Sequence, residues 1–213
     1  MSERKRIPTS VYAEMTPNPA AIKFVADRML ISGGIQVEYR NKTEAKNSSP
    51  LAEELFNFPF VSTVFVSSNF VTVVKDNSIE WDMILMQLRE YIREWLMDHE
   101  IAVTTVPAEL MERGREVYQE EAGHAASMDY SGMEATEYDE EIRALLDEFV
   151  RPAVEMDGGA IHFMAYQDKK VFVQLKGSCS GCPSSTATLK GGIENLLKAK
   201  MPGVVEEVVA ESA

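Results

Sequence analysis

Between residues 104 and 141 the chain carries eleven acidic side chains against two basic ones, and the apolar periodicity seen on either side lapses there. Glycines stand at positions 114, 123 and 132. A stretch this charged and this short of regular apolar spacing reads as a spacer, so its flanks are expected to fold as two small units rather than one large one. Residues 108–121 could still form a solvated helix, with Leu110, Met111, Val117 and Tyr118 on part of its surface. The expected organisation is a first domain over 1–103, an acidic linker over 104–137 and a second domain over 138–213.

The whole chain has 213 residues and a formal net charge of −13. That charge argues against non-specific nucleic-acid binding and against docking on an anionic membrane surface. No apolar run approaches the roughly 18 residues of a membrane span. Arg4, Lys5 and Arg6 resemble the start of a signal peptide, but no apolar core follows them. The chain has two cysteines. A close pair without an export signal points to a reducing cytoplasm, where such pairs bind metals or do chemistry more often than they form structural disulfides.

In the first block, residues 60–66 and 70–75 are rich in β-branched and aromatic side chains, with Ser67-Ser68-Asn69 between them. This spacing predicts a β-hairpin. Trp81, Ile84, Leu85, Leu88, Ile92, Trp95 and Leu96 recur at helical steps and predict one amphipathic helix. Ser49-Pro50 has the chemistry of a helix start, with serine as N-cap and proline in the first turn. Thr16-Pro17-Asn18-Pro19 fixes φ twice and predicts a rigid turn after a strand over 11–13. No Ser/His/Asp set, phosphate loop or metal-spaced histidine pair occurs in this block.

In the second block, Ile142, Leu145, Leu146, Phe149 and Val150 predict an amphipathic helix that kinks or ends at Arg151-Pro152. Asp157-Gly158-Gly159 follows as a turn. Residues 161–166 and 171–176 alternate in period two and predict an antiparallel hairpin with one buried face. His162 is then a half-exposed strand residue. Leu189, Ile193, Leu196 and Leu197 mark a second helix, and residues 204–209 a last strand. The fold class is α+β, with the second domain ordered helix-strand-strand-helix-strand.

Cys179 and Cys182 fall in the loop Gly177-Ser178-Cys179-Ser180-Gly181-Cys182-Pro183, between the hairpin and the second helix. Both are expected on an exposed surface loop. Cys182 directly precedes the helix, where backbone N–H groups and the helix dipole favour a thiolate. The spacing alone suits a thioredoxin-type dithiol, half of a zinc site or half of an iron–sulfur site. Lys176 and Lys190 flank the loop and would balance the charge of an anionic centre.

The chain resembles the Nfu (NifU-like) iron–sulfur cluster scaffold proteins. Arg151-Pro152, Asp157-Gly158-Gly159, the segment 177–185, Thr188-Leu189-Lys190 and Gly192-Ile193-Glu194 are similar to the family's NifU C-terminal domain. Thr16-Pro17-Asn18-Pro19, Lys23-Phe24, Ser49-Pro50-Leu51-Ala52 with Phe56, the strand 70–75 and Trp81 are similar to its N-terminal domain. Ala160 departs from the family, which often has a polar residue there, and the linker is unusually acidic. The resemblance implies a non-enzymatic carrier. Cys179 and Cys182 would bind half of a labile [4Fe–4S] cluster, shared with a second chain in a homodimer. The cluster would come from upstream assembly machinery and pass to apo iron–sulfur proteins. Two other classes stay open on the residues alone: a dithiol–disulfide oxidoreductase, and an interaction module with zinc at a dimer interface.

Overall fold

A computed structural model describes residues 6–107, 135–180 and 183–212. The chain divides into two compact units, with the division between Pro107 and Ala108. Most of the expected acidic linker, including the possible helix over 108–121, lies outside the described residues, as does Cys182.

The first unit is built on five antiparallel strands: β1 (Val11–Met15), β2 (Ala21–Ala26), β3 (Gln36–Tyr39), β4 (Val61–Ser67) and β5 (Phe70–Lys75), in the order β1-β2-β5-β4-β3. The β4–β5 hairpin turns at Ser68, which has φ +45°. Helices α1 (Lys42–Ala45) and α2 (Pro50–Leu55) precede β4, and α3 (Trp81–Asp98) follows β5. Ser49 caps α2 as expected, its Oγ accepting from the Ala52 N–H at 3.1 Å. In α3 the residues Trp81, Leu88, Ile92 and Leu96 are buried at seven- and four-residue steps, so the helical period in the sequence is the buried face. The proline-rich turn closes on itself: Thr16 Oγ1 donates to the Asn18 and Ala21 carbonyls, and the Ala20 N–H donates to Asn18 Oδ1. Trp81 Nε1 donates to the Pro19 carbonyl at 3.1 Å, fastening α3 to that turn. Residues 102–105 are tied to the same unit, because the Ser49 hydroxyl donates to the Ala102 carbonyl and the Thr104 N–H to the Ser48 carbonyl.

The second unit follows the expected order. Helix α4 (Asp139–Leu145), a π-helical turn (Leu146–Val150) and α5 (Arg151–Met156) lead to β6 (Gly159–Gln167) and β7 (Lys170–Gly177). Helix α6 (Pro183–Lys200) and β8 (Glu207–Ser212) complete it. Three features differ from the sequence reading. Arg151-Pro152 does not end the helix. The Arg151 N–H reaches back to the Leu146 carbonyl, and this wider turn lets the chain pass into α5 with Pro152 near its start, where a missing donor is tolerated. The last strand begins at Glu207 rather than 204, because the Tyr166 hydroxyl and the Glu206 N–H fix the preceding turn to the Val204 and Lys169 carbonyls. The hairpin is also not one-sided. Strand β7 is central, antiparallel to β6 and parallel to β8, and Phe172, Gln174 and Lys176 are as buried as Val171, Val173 and Leu175.

The core of this unit is drawn from all of its described elements. Ile142, Leu146, Val150 and Val154 from the helical lead-in meet Ile161, Val171, Val173 and Leu175 from the sheet. Ile193, Leu197 and Met201 from α6 and its end, with Val205 and Val208, close it. Cys179 belongs to the same cluster.

Candidate functional site

The site is set by how β7 ends. Gly177 pairs with Gly159 as the last rung of the hairpin, and its φ of +67° is open to glycine at little cost. The chain then folds back across the start of β6. The Ser180 N–H donates to the Gly177 carbonyl at 3.1 Å, closing a tight turn around Ser178 and Cys179. Gly158, with φ +80°, shapes the opposite turn. Two bonds from Ser178 join these turns: its N–H donates to the Gly158 carbonyl at 3.2 Å, and its hydroxyl donates to the Asp157 carbonyl. The Thr186 hydroxyl, in the first turns of α6, donates to the Cys179 carbonyl at 3.3 Å.

Cys179 is not on an exposed loop. It is 6% exposed and its sulfur faces the backbone of Gly159. A Cβ on Gly159 would stand 2.7 Å from the Cys179 sulfur and 2.7 Å from the Lys176 carbonyl oxygen. The glycine is therefore required by close approach: any side chain there displaces the thiol or breaks the last rung of the hairpin. Burial pushes the Cys179 thiol above its ordinary range; a hydrogen bond with Ser178 at 3.8 Å pulls back, and the Asp157 carboxylate adds to the rise. The expectation of a readily ionised thiol concerned Cys182, which lies outside the described residues; at Cys179 the environment holds the proton on.

Of the flanking lysines, Lys176 is 5% exposed within the sheet. Lys190 lies 3.7 Å from Glu207, which also takes Lys170 at 3.1 Å. Lys190 thus has an anionic neighbour within its own unit. Glu194, from the Gly192-Ile193-Glu194 motif, accepts the Val208 N–H at 3.2 Å and binds α6 to β8, a structural role. His162 is half-buried as expected, and burial beside Lys176 and Arg151 holds its pKa down to about 4.

Sequence reasoning singled out the cysteines as candidates but gave no role to Ser178 and no reason for Gly159. The signal was present in the glycine pair 158–159, which the sequence reading used only as a turn. Among the described residues no group of three or more His, Cys, Asp or Glu side chains is placed to hold a metal ion. Among them, too, no helix is long and apolar enough to cross a membrane.

Two family models match the chain: Scaffold protein Nfu/NifU N terminal over residues 11–99, and NifU-like domain over residues 142–209. A Drosophila erecta protein named NFU1 iron-sulfur cluster scaffold homolog, mitochondrial, is 34% identical over 208 residues, which is 95% of this chain and 66% of that protein. Its Drosophila willistoni namesake is 33% identical over 95% of this chain and 64% of its own length. The chain thus spans just under two thirds of these relatives. A solution structure of a NifU-like protein from Saccharomyces cerevisiae aligns with 49% of this chain and 91% of its own, at 23% identity and a TM-score of 0.40. The relatives' names correct one expectation, the cytoplasmic location, since both are called mitochondrial. A reducing environment, which is all that the cysteine count indicates, is not peculiar to the cytoplasm. With the N-terminal and NifU-like models matched in order around the segment 100–141, the chain belongs to the Nfu/NifU-like scaffold protein family.

Proposed function

We propose that this protein is a carrier of iron–sulfur clusters that holds a labile [4Fe–4S] cluster between two chains and hands it to apo-proteins. The cluster is cargo. Cys179 and Cys182 supply two thiolates, and a second copy of the chain supplies the other two. Clusters of this type are held by four cysteine thiolates, and the chain has only two cysteines. The observation that carries the reading is the seating of Cys179. One member of the only cysteine pair sits at the end of β7, in a loop whose glycines and serine are spent on its placement rather than on a hydrophobic core contact alone.

The seat protects Cys179 in the cluster-free chain: burial holds the proton on, and the thiol must leave that seat before it can act as a thiolate in either a carrier or an oxidoreductase. The function is non-enzymatic: the chain binds, protects and releases. Partners are an upstream assembly protein that supplies the cluster and apo iron–sulfur proteins that receive it, with neither nucleic acid nor membrane required. The relatives' names support a mitochondrial setting for this work. On this reading the chain comprises domain 1–103, an acidic linker over 104–137 and the cluster-binding domain 138–213.

The test is anaerobic reconstitution with iron and sulfide followed by native mass spectrometry. The expected product is a brown dimer with one [4Fe–4S] cluster per two chains. A colourless protein with zinc in its place, or a colourless monomer that reduces insulin, overturns the reading.

A further inference from the structure

The Cys179 sulfur faces inward, and that orientation conflicts with its task. Cys179 is 6% exposed, and with the Gly159 backbone against its sulfur there is no room on that side for an iron atom. The side chain must turn outward before it can ligate anything shared. Among the described residues, Ser178 holds it inward through several contacts. Ser178 is itself 1% exposed. Its hydroxyl donates to the Asp157 carbonyl and lies 3.8 Å from the Cys179 sulfur. Its N–H holds the Gly158 carbonyl at 3.2 Å. One residue therefore fastens the cysteine loop to the 157–158 turn twice and touches the thiol as well. Gly177, with φ +67°, lies immediately before it as the point where the loop leaves the sheet.

We propose that Ser178 is a positioning residue for cluster loading: its hydroxyl latches the cysteine loop to the Asp157–Gly158 turn with Cys179 folded inward, and loading begins when that latch opens. The proposal rests on the carrier reading above for its purpose, but the latch itself is a property of the cluster-free chain. The closed loop shields a thiol that would otherwise be open to oxidants, and the open loop presents it to cargo. The latch is weak by design of its chemistry, since one neutral hydrogen bond is worth little net. It can therefore open often without unfolding the sheet.

The experiment follows Cys179 in a Cys182→Ala background, where it is the only thiol, by its rate of alkylation with iodoacetamide. Ser178→Ala removes the hydroxyl and keeps the N–H. The net worth of one hydrogen bond sets the expected acceleration at roughly three- to tenfold. Thr186→Val, which removes a different bond to the same cysteine residue, is expected to change the rate less than twofold. A Ser178→Ala rate within twofold of its parent overturns the latch, as does an equal rise in Thr186→Val, which would mean general loosening. Hydrogen exchange on the chain with Ser178 intact covers the case in which Ser178→Ala does not fold. Protection of the Ser178 amide from exchange and of the Cys179 thiol from alkylation should report one opening, agreeing within about threefold, and a larger disagreement overturns the latch too. In the chain with both cysteines, a small-thiolate [4Fe–4S] complex in excess should load Ser178→Ala faster by the alkylation factor. An unchanged loading rate beside a faster alkylation overturns the step's place in loading. Because alkylation needs no cluster, a chain that never binds one sinks the carrier reading and leaves the latch standing.

Discussion

Two substitutions test the site residue by residue. Gly159→Ala adds one methyl where the nearest atoms are the Cys179 sulfur and the Lys176 carbonyl oxygen, each 2.7 Å away. The sulfur could rotate away, but the carbonyl belongs to the backbone of the central strand and cannot move without disturbing the hairpin. The expected cost is at the upper end of the roughly 1–3 kcal/mol typical of overpacking. Thermal unfolding of this unit and iron content after reconstitution should both fall, and a variant as stable and as well loaded as its parent refutes the close-approach argument. Cys179→Ser and Cys182→Ser separate binding from folding. Serine at 179 places a hydroxyl in a site 6% exposed, beside the Ser178 oxygen that can accept from it, so about 1 kcal/mol is lost rather than the fold. Either single variant should retain the circular dichroism of the parent and lose stable cluster. Full iron and sulfide in one of them would show that the cysteine pair is not the ligand set.

At the scale of elements, what the sequence made legible was local. Both hairpins, the α3 face, the Ser49 cap and the helix order of the second unit follow from period and capping chemistry within a few residues. What stayed hidden was non-local. Nothing in Phe172, Gln174 and Lys176 announces a buried face, since polar alternation on a central strand reads like polar alternation toward water. The parallel pairing of β8 with β7 spans the whole of α6 and leaves no local trace. The π-helical turn was masked by Pro152, whose usual meaning is a helix end. The site was half legible for the same reason: the cysteine motif is contiguous, whereas the Gly159–Cys179 contact joins residues twenty apart. The second face of the sheet makes a pH prediction. His162, opposite Gln174, has its pKa lowered to about 4 by burial and by Lys176 and Arg151, against an ordinary 6.5. A folded pKa below the unfolded one means that the unfolded chain binds more protons between these values. Stability is therefore complete above about pH 6.5 and is lost as pH falls toward 4, by up to about 3 kcal/mol. His162→Gln should flatten that difference. Residue-resolved urea unfolding of β7 at pH 7 and pH 5 measures it, and parallel pH dependence in the two proteins would show that His162 does not titrate on unfolding.

At the scale of the whole molecule, the decisive quantity is stoichiometry. A chain with two cysteines cannot fill four thiolate positions, and the described residues hold no additional cluster of ligand side chains. If the cluster is shared, cluster binding and dimerisation are one equilibrium. Each mole of cluster then favours the dimer by its own binding free energy, and removal of iron must return the monomer. The net charge of −13 on each chain opposes association. Loading should therefore dimerise the protein more completely as salt rises from about 0.01 M to 0.15 M, where the screening length falls from about 30 Å to about 8 Å. Sedimentation velocity on cluster-free, loaded and chelator-treated protein at those two salts tests this. The expected pattern is monomer, dimer and monomer again, with the loaded dimer tighter at the higher salt. A loaded monomer carrying a full cluster per chain, with no small thiol bound, would break the link between the cysteine count and the assembly. A dimer that persists after chelation would place the interface elsewhere than at the cysteine loop.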